Sequence, residues 1–224
     1  MRNIEHDKEW YDKRIDYLST FMTAERFATL RDAAMQRTEY VTLCVENTFH
    51  SQNASALVRS CEAFGVGVIH SVENLCKFTP NENIVKGSDK WVDINHHGNA
   101  VELIAQLRAD GYRIVATSPH LDDRTPESFD VEAGPFALFF GTERQGISED
   151  VMNEADEFVR IPMCGMVESL NVSASASILL YNLTTRLKSS DAVWQLEPLR
   201  LSELTYRWLM QSVKDSENIL KRMP

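Results

Sequence analysis

YVTLCVENTFHSQNASALVRSCEAFGVGVIHSV, residues 40–72, is the stretch that decides the fold. Residues 40–47 are rich in β-branched side chains and predict a strand. Residues 53–65 predict a helix, with Asn53 or Ser55 as its cap and Gly65 as its stop. Residues 66–72 return to a strand pattern. A strand, a helix and a strand in that order form a βαβ unit, in which the strands run parallel.

The alternation continues outward. Residues 91–95 predict a short strand. Residues 99–111 predict an amphipathic helix capped by Asn99, with Gly111 just past its end. Residues 112–118 and 135–141 predict buried strands, residues 148–155 a helix opening at Ser148, and residues 157–163 a last strand. A long helix follows over 171–188. Upstream, RFATLRDAAMQR has apolar residues at helical spacing, so residues 1–38 read as helical. Downstream, one helix is expected over 201–222. The chain therefore divides into a helical extension (1–38), an α/β domain (39–188) and a helical tail (189–224). The α/β class with a mainly parallel sheet and helices on both faces follows. Ligands of such sheets bind outside the carboxyl ends of the strands. That rule singles out TSPH after 116, GTERQG after 140 and PMCGMVESLN after 161. No GxGxxG and no GxxxxGK[ST] is present, so neither an ordinary dinucleotide site nor a P-loop is supported.

Composition narrows the class. Apolar residues make up 43% of the 224, enough for a full core. The first ten residues, MRNIEHDKEW, have no apolar run, and FALFF at 136–140 is far too short to span a bilayer. The four cysteines, Cys44, Cys61, Cys76 and Cys164, form no CxxC pair and read as free thiols in a reducing cytoplasm. Net charge is −10, which by itself argues against nucleic acid. The acidic excess lies wholly in residues 39–188, with 11 basic against 21 acidic side chains. The two flanks carry 12 of the 23 basic residues. If RNA binds, the flanks are the better place for phosphate contacts.

ESLNVSASASILLYNL, residues 168–183, packs small polar residues into the mouth of an apolar helix. Caps and close packing account for some of them. A ligand held at a helix N-terminus, where backbone N–H groups are free, accounts for the same pattern.

Three segments resemble the three motifs of the SPOUT class of RNA methyltransferases, in its TrmH family. They are NASALVRS (53–60), FFGTERQGIS (139–148) and IPMCGMVESLNVSASASILLY (161–181), with GSDKWV (87–92) between them. The resemblance covers residues 38–188 in the right order. It implies a C-terminal deep trefoil knot, a homodimer with active sites beside the interface, and bound S-adenosylmethionine. It implies ribose 2′-O-methylation of a guanosine in the tRNA D-loop. By motif position the cofactor would lie against Thr117, Gly141, Ile161, Met163, Ser169 and Leu170. Asn53, Arg59, Glu143, Asn171 and Ser169 would serve the catalytic site. The TrmH tRNA enzymes often open their first motif with Lys-Pro-His-Asn; here His50, Ser51, Gln52 and Asn53 stand there.

Each residue also has a plain chemical reading. Methyl transfer to a ribose hydroxyl requires alignment, proton removal and exclusion of water. The Arg59 fork suits the phosphate beside the target ribose. As a guanidinium it stays charged, so it is a poor general base; proton loss to phosphate or water is easier to defend. Asn53 suits a helix cap, or an amide that fixes Arg59 or the ribose. Glu143 suits a backbone-binding turn residue or a salt bridge. Asn171 and Ser169 suit the cap of the long helix and contact with the reacting groups. On the flanks, Arg14, Arg26, Arg31, Arg37, Arg200, Arg207, Lys214, Lys221 and Arg222 are candidates for phosphate contacts, with solvated helix faces as the plain alternative. The competing readings are an rRNA methyltransferase of the same family and a catalytically silent knotted dimer.

Overall fold

The computed structural model describes residues 4–118, 124–142 and 145–224. It comprises two compact units, Met1–Arg37 with Gln195–Pro224, and Thr38–Trp194. The first unit opens with α1 (Lys8–Ser19) and α2 (Ala24–Met35). Asp7 and Thr23 cap them by accepting from the backbone N–H groups of Trp10 and Arg26.

The second unit is built on a sheet. In chain order it contains β1 (Val41–Glu46), α3 (Ser51–Phe64), β2 (Val68–Val72), α4 (Glu82–Val85) and β3 (Asp93–His97). Then come α5 (Ala100–Ala109), β4 (Arg113–Thr117), β5 (Phe136–Phe140), α6 (Glu149–Glu154), β6 (Glu157–Val159) and α7 (Val172–Lys188). The six strands run in the order β3-β2-β1-β5-β4-β6, and every described pairing is parallel. Leu43 lies opposite Ile69 on one side and Leu138 on the other, and Leu138 opposite Val115.

Both faces are covered, as a parallel sheet requires. In β5, Phe136, Leu138 and Phe140 enter the core shared with α3 and α7, including Leu57, Leu179 and Leu183. Ala137 and Phe139 enter the opposite core with Leu103 and Ile104 of α5 and Val151 of α6. All five β5 residues are essentially buried. Each large one contributes roughly 1.5–3 kcal/mol of transfer free energy.

Several boundaries depart from the sequence pattern. Helix α3 starts at Ser51 with His50 at its N-cap, so neither Asn53 nor Ser55 caps it. Ser55 instead donates to the Ser51 carbonyl and accepts from Asn81 N–H, both at 2.7 Å. Gly65 does end the helix, at φ 83°. Strand β6 stops at Val159, short of Pro162, which has no N–H to give a ladder.

The helix expected over 201–222 is two: α8 (Pro198–Ser212) and α9 (Ser216–Leu220). Val213 leaves the helical region at ψ 120° and Asp215 turns left-handed at φ 62°. Aspartate tolerates that conformation better than most residues. The Ser216 hydroxyl donates to the Met210 carbonyl at 2.8 Å, satisfying part of the freed α8 end. Helix α8 packs on α1 and α2, with Trp208 buried beneath the Arg37 guanidinium.

Candidate active site

A cavity of about 480 Å³ opens at the carboxyl ends of β4, β5 and β6 and the start of α7. Its size lies in the range of small-molecule sites. Thr117, at the end of β4, is oriented by its hydroxyl, which donates to the Phe139 carbonyl at 2.9 Å. Gly141 follows β5 at a place where no side chain fits. A Cβ there would meet the Gly146 carbonyl carbon at 2.0 Å. Thr142 and Gly146 exchange backbone hydrogen bonds of 2.9 Å in both directions, which closes the turn. Beyond it, Ser148 caps α6 while its own N–H donates to Glu46 Oε2 at 2.9 Å. That bond fixes the turn to the end of β1.

The other wall is the α7 N-terminus. Asn171 caps it, its Oδ1 accepting from Ser173 N–H at 2.8 Å and from the Ser173 hydroxyl at 2.6 Å. Its Nδ2 donates to Asn53 Oδ1 at 3.1 Å. Asn53 is buried at the first turn of α3. Two turns along, the Ser60 and Ser177 hydroxyls meet at 2.7 Å. Small polar residues on both helices thus let α3 and α7 approach and hold their register.

The structure brings much of the expected set together. Thr117, Gly141, Ile161, Met163, Ser169 and Leu170 all line this one cavity. Asn53 and Asn171 are hydrogen-bonded to each other beside it. Arg59 is not brought in. It is exposed on α3, and its Nη1 donates to the Ile84 carbonyl at 3.0 Å. Glu143 lies outside the described residues. Glu168, Gln145 and Met152, to which the sequence assigns no site role, also line the cavity. The strand-end rule reaches the loops that hold Glu168 and Gln145; only the fold brings in Met152, from within α6.

On the helical unit the basic candidates differ in availability. Arg26, Arg31 and Lys214 are exposed, although Arg26 also reaches the Ser212 carbonyl at 3.4 Å and Arg31 lies 3.7 Å from Asp32. Arg14 lies 3.5 Å over the Trp10 ring and donates to the Trp10 carbonyl. Arg37 is only 3% exposed, which takes it out of reach of an RNA backbone. Arg207 and Arg200 both pair with Glu203, Arg207 at 3.0 Å and Arg200 at 2.5 Å. Their charges are engaged inside the unit.

Comparison with known proteins gives a consistent result. A model of the SpoU rRNA Methylase family matches residues 40–181. A tRNA (guanosine(18)-2′-O)-methyltransferase of Borreliella burgdorferi is 38% identical over 207 residues, 92% of this chain and 94% of that protein. Among solved structures, the Aquifex aeolicus TrmH/SpoU tRNA modifying enzyme superposes with a TM-score of 0.72 at 29% identity. It covers 84% of this chain and 97% of the other. The SpoU methyltransferase AviRb of Streptomyces viridochromogenes, in complex with AdoMet, shares the fold at TM-score 0.62 and 22% identity, over 69% of this chain and 63% of the other. The family match runs from the residue before β1 into α7, so it encloses the sheet, the cavity and the Asn53–Asn171 pair, and the chain belongs to the SpoU rRNA Methylase family.

Proposed function

We propose that the chain is an S-adenosylmethionine-dependent methyltransferase acting on the ribose 2′-hydroxyl of a guanosine in the tRNA D-loop. The observation that carries the choice of tRNA is the reach of the likeness to the Borreliella enzyme. It covers 92% of this chain, well beyond residues 40–181 and into the flanking helices. An rRNA target is the second reading, favoured by the name of the family itself.

The cavity suits the cofactor. Ile161, Met163 and Leu170 give apolar walls, Thr117 and Ser169 give hydroxyls, and the bare backbone at Gly141 permits close approach. S-adenosylmethionine supplies a methyl group on a cationic sulfur. The remaining work falls to this chain. The Asn171 and Asn53 amides, locked by their mutual bond, orient the ribose hydroxyl. Arg59 grips the neighbouring phosphate through its fork. The hydroxyl proton leaves to phosphate or water, and the apolar walls exclude competing solvent. Exposed Arg26, Arg31 and Lys214 on the helical unit make phosphate contacts that weaken with salt.

The same reading includes the knot and a homodimer. Leu170, Ile178 and Tyr181 leave apolar side chains 37%, 42% and 61% exposed around α7. A second copy covers this face, and the Arg59 that serves each cavity comes from the partner copy. Among the described residues no helix is long and apolar enough to cross a membrane, and an enzyme working on tRNA belongs in the cytoplasm.

The direct test is incubation with methyl-labelled S-adenosylmethionine and bulk tRNA beside rRNA, then mapping of the label. Label on a D-loop guanosine ribose supports the reading. Label in rRNA alone overturns the target. Cofactor binding without label in either RNA supports the silent dimer.

A further inference from the structure

We propose that Glu168 makes the cavity prefer the cationic cofactor to its spent product, so that fresh cofactor outcompetes product for the site. The inference rests on the methyltransferase reading above. Among the described residues that line the cavity, Glu168 is the one charged side chain; its neighbours there are apolar groups, hydroxyls, glycine backbone and the Gln145 amide. It sits three residues before the Asn171 cap, at the N-terminal end of the 17-residue helix α7.

That position matters electrically. A helix N-terminus carries about half a positive charge. Alone, it would repel a sulfonium at the mouth of the cavity. A carboxylate lining the same cavity opposes that repulsion.

The charges of the ligands complete the argument. S-adenosylmethionine carries a sulfonium, an ammonium and a carboxylate, hence a single net positive charge. Methyl transfer breaks the sulfur–methyl bond, and its electron pair stays on sulfur. S-adenosylhomocysteine is therefore a neutral thioether with no net charge. Attraction to Glu168 exists before transfer and is lost with it. Glu168 acts as a specificity residue, without taking part in bond making.

The test is isothermal titration calorimetry of the intact protein and of E168Q. The probes are S-adenosylmethionine, S-adenosylhomocysteine and sinefungin, whose amine keeps a positive charge near the position of sulfur. Glu168 is exposed, so the substitution leaves the fold intact and its effect is screened. Affinity for the two cationic ligands is expected to fall about two- to fivefold, with S-adenosylhomocysteine unchanged. In the unsubstituted protein the preference for S-adenosylmethionine should shrink as salt rises from low to physiological strength. Equal shifts for charged and neutral ligands, or no shift for any, would overturn the role of Glu168. Failure of the unsubstituted protein to bind any of the three would overturn the methyltransferase reading itself.

Discussion

Asn171 Nδ2 donates to Asn53 Oδ1 across 3.1 Å, joining residues 118 positions apart on α7 and α3. The Asn171 oxygen is engaged by Ser173, so one amide caps a helix and ties it to another. The two roles separate by substitution. Asn171→Asp keeps an oxygen for the cap but sets a carboxylate against Asn53 Oδ1. Asn171→Ala removes both and should cost about 1 kcal/mol of stability through the cap. Methyl transfer should fall by about a hundredfold or more in both variants, because positioning is lost in both. Thermal unfolding and single-turnover rates check this. Full activity in Asn171→Asp would remove the pair from the mechanism.

Gly141→Ala tests whether the turn after β5 is a cradle. A Cβ at this position runs into the Gly146 backbone, which cannot swing aside as a flexible side chain would. We expect a loss of about 1–3 kcal/mol by the usual cost of overpacking. Cofactor affinity should fall far more than that of an equally destabilised variant elsewhere in the sheet. Urea melts combined with cofactor titration distinguish the two. A folded variant with unchanged affinity would show that the backbone here does not touch the ligand.

The sequence carried the sheet because a strand buried on both faces is written in its own residues, as FALFF at 136–140 shows. It carried six cavity residues through motif position and the strand-end rule. It could not carry contacts between distant residues. Nothing in the local pattern says that Asn53 meets Asn171, or that Ser60 meets Ser177. The start of α3 is not legible because residues 48–52 hold a single apolar side chain, the exposed Phe49, and His50 at the N-cap makes no side-chain cap bond. The break at Asp215 is silent in the sequence because residues 201–222 contain no glycine or proline, and only the fold asks an aspartate to turn left-handed. The burial of Arg37 under tertiary packing is equally silent in a list of charges.

Acid should destabilise the fold through β2 and β3. His70 Nδ1 lies 2.9 Å from His97 Nε2, so one ring must donate and the other accept. Burial, and then the neighbouring His97, push His70 down to about 4 from 6.5. Between those values the unfolded chain binds a proton that the folded chain refuses, so stability rises with pH. The contribution is complete above pH 6.5 and is lost as pH falls toward 4. Its full size is about 3 kcal/mol from the linkage relation. His97 is lowered as well, chiefly by burial, which adds in the same direction. Denaturant unfolding at pH 7 and pH 5 should show the drop, and His70→Gln should flatten it. An equal slope in the variant would assign the acid sensitivity elsewhere.

Arg59 supplies the sharpest test of how the site is assembled. In one chain it is exposed and holds the Ile84 carbonyl, whereas Asn171 stands beside the cavity. If each site draws Arg59 from one copy and Asn171 from the other, the two single variants complement each other. Arg59→Ala and Asn171→Ala homodimers would both be inactive. A mixed dimer would contain one site with both residues intact and one with neither. Unfolding and refolding an equal mixture should then restore about a quarter of the unsubstituted activity, since half the dimers are mixed and each has one good site of two. If both residues serve the same cavity from one chain, every site in the mixture lacks one of them and no activity returns. Sedimentation at the working concentration must show dimer in both variants, so that absence of recovery reports site architecture and not failed association.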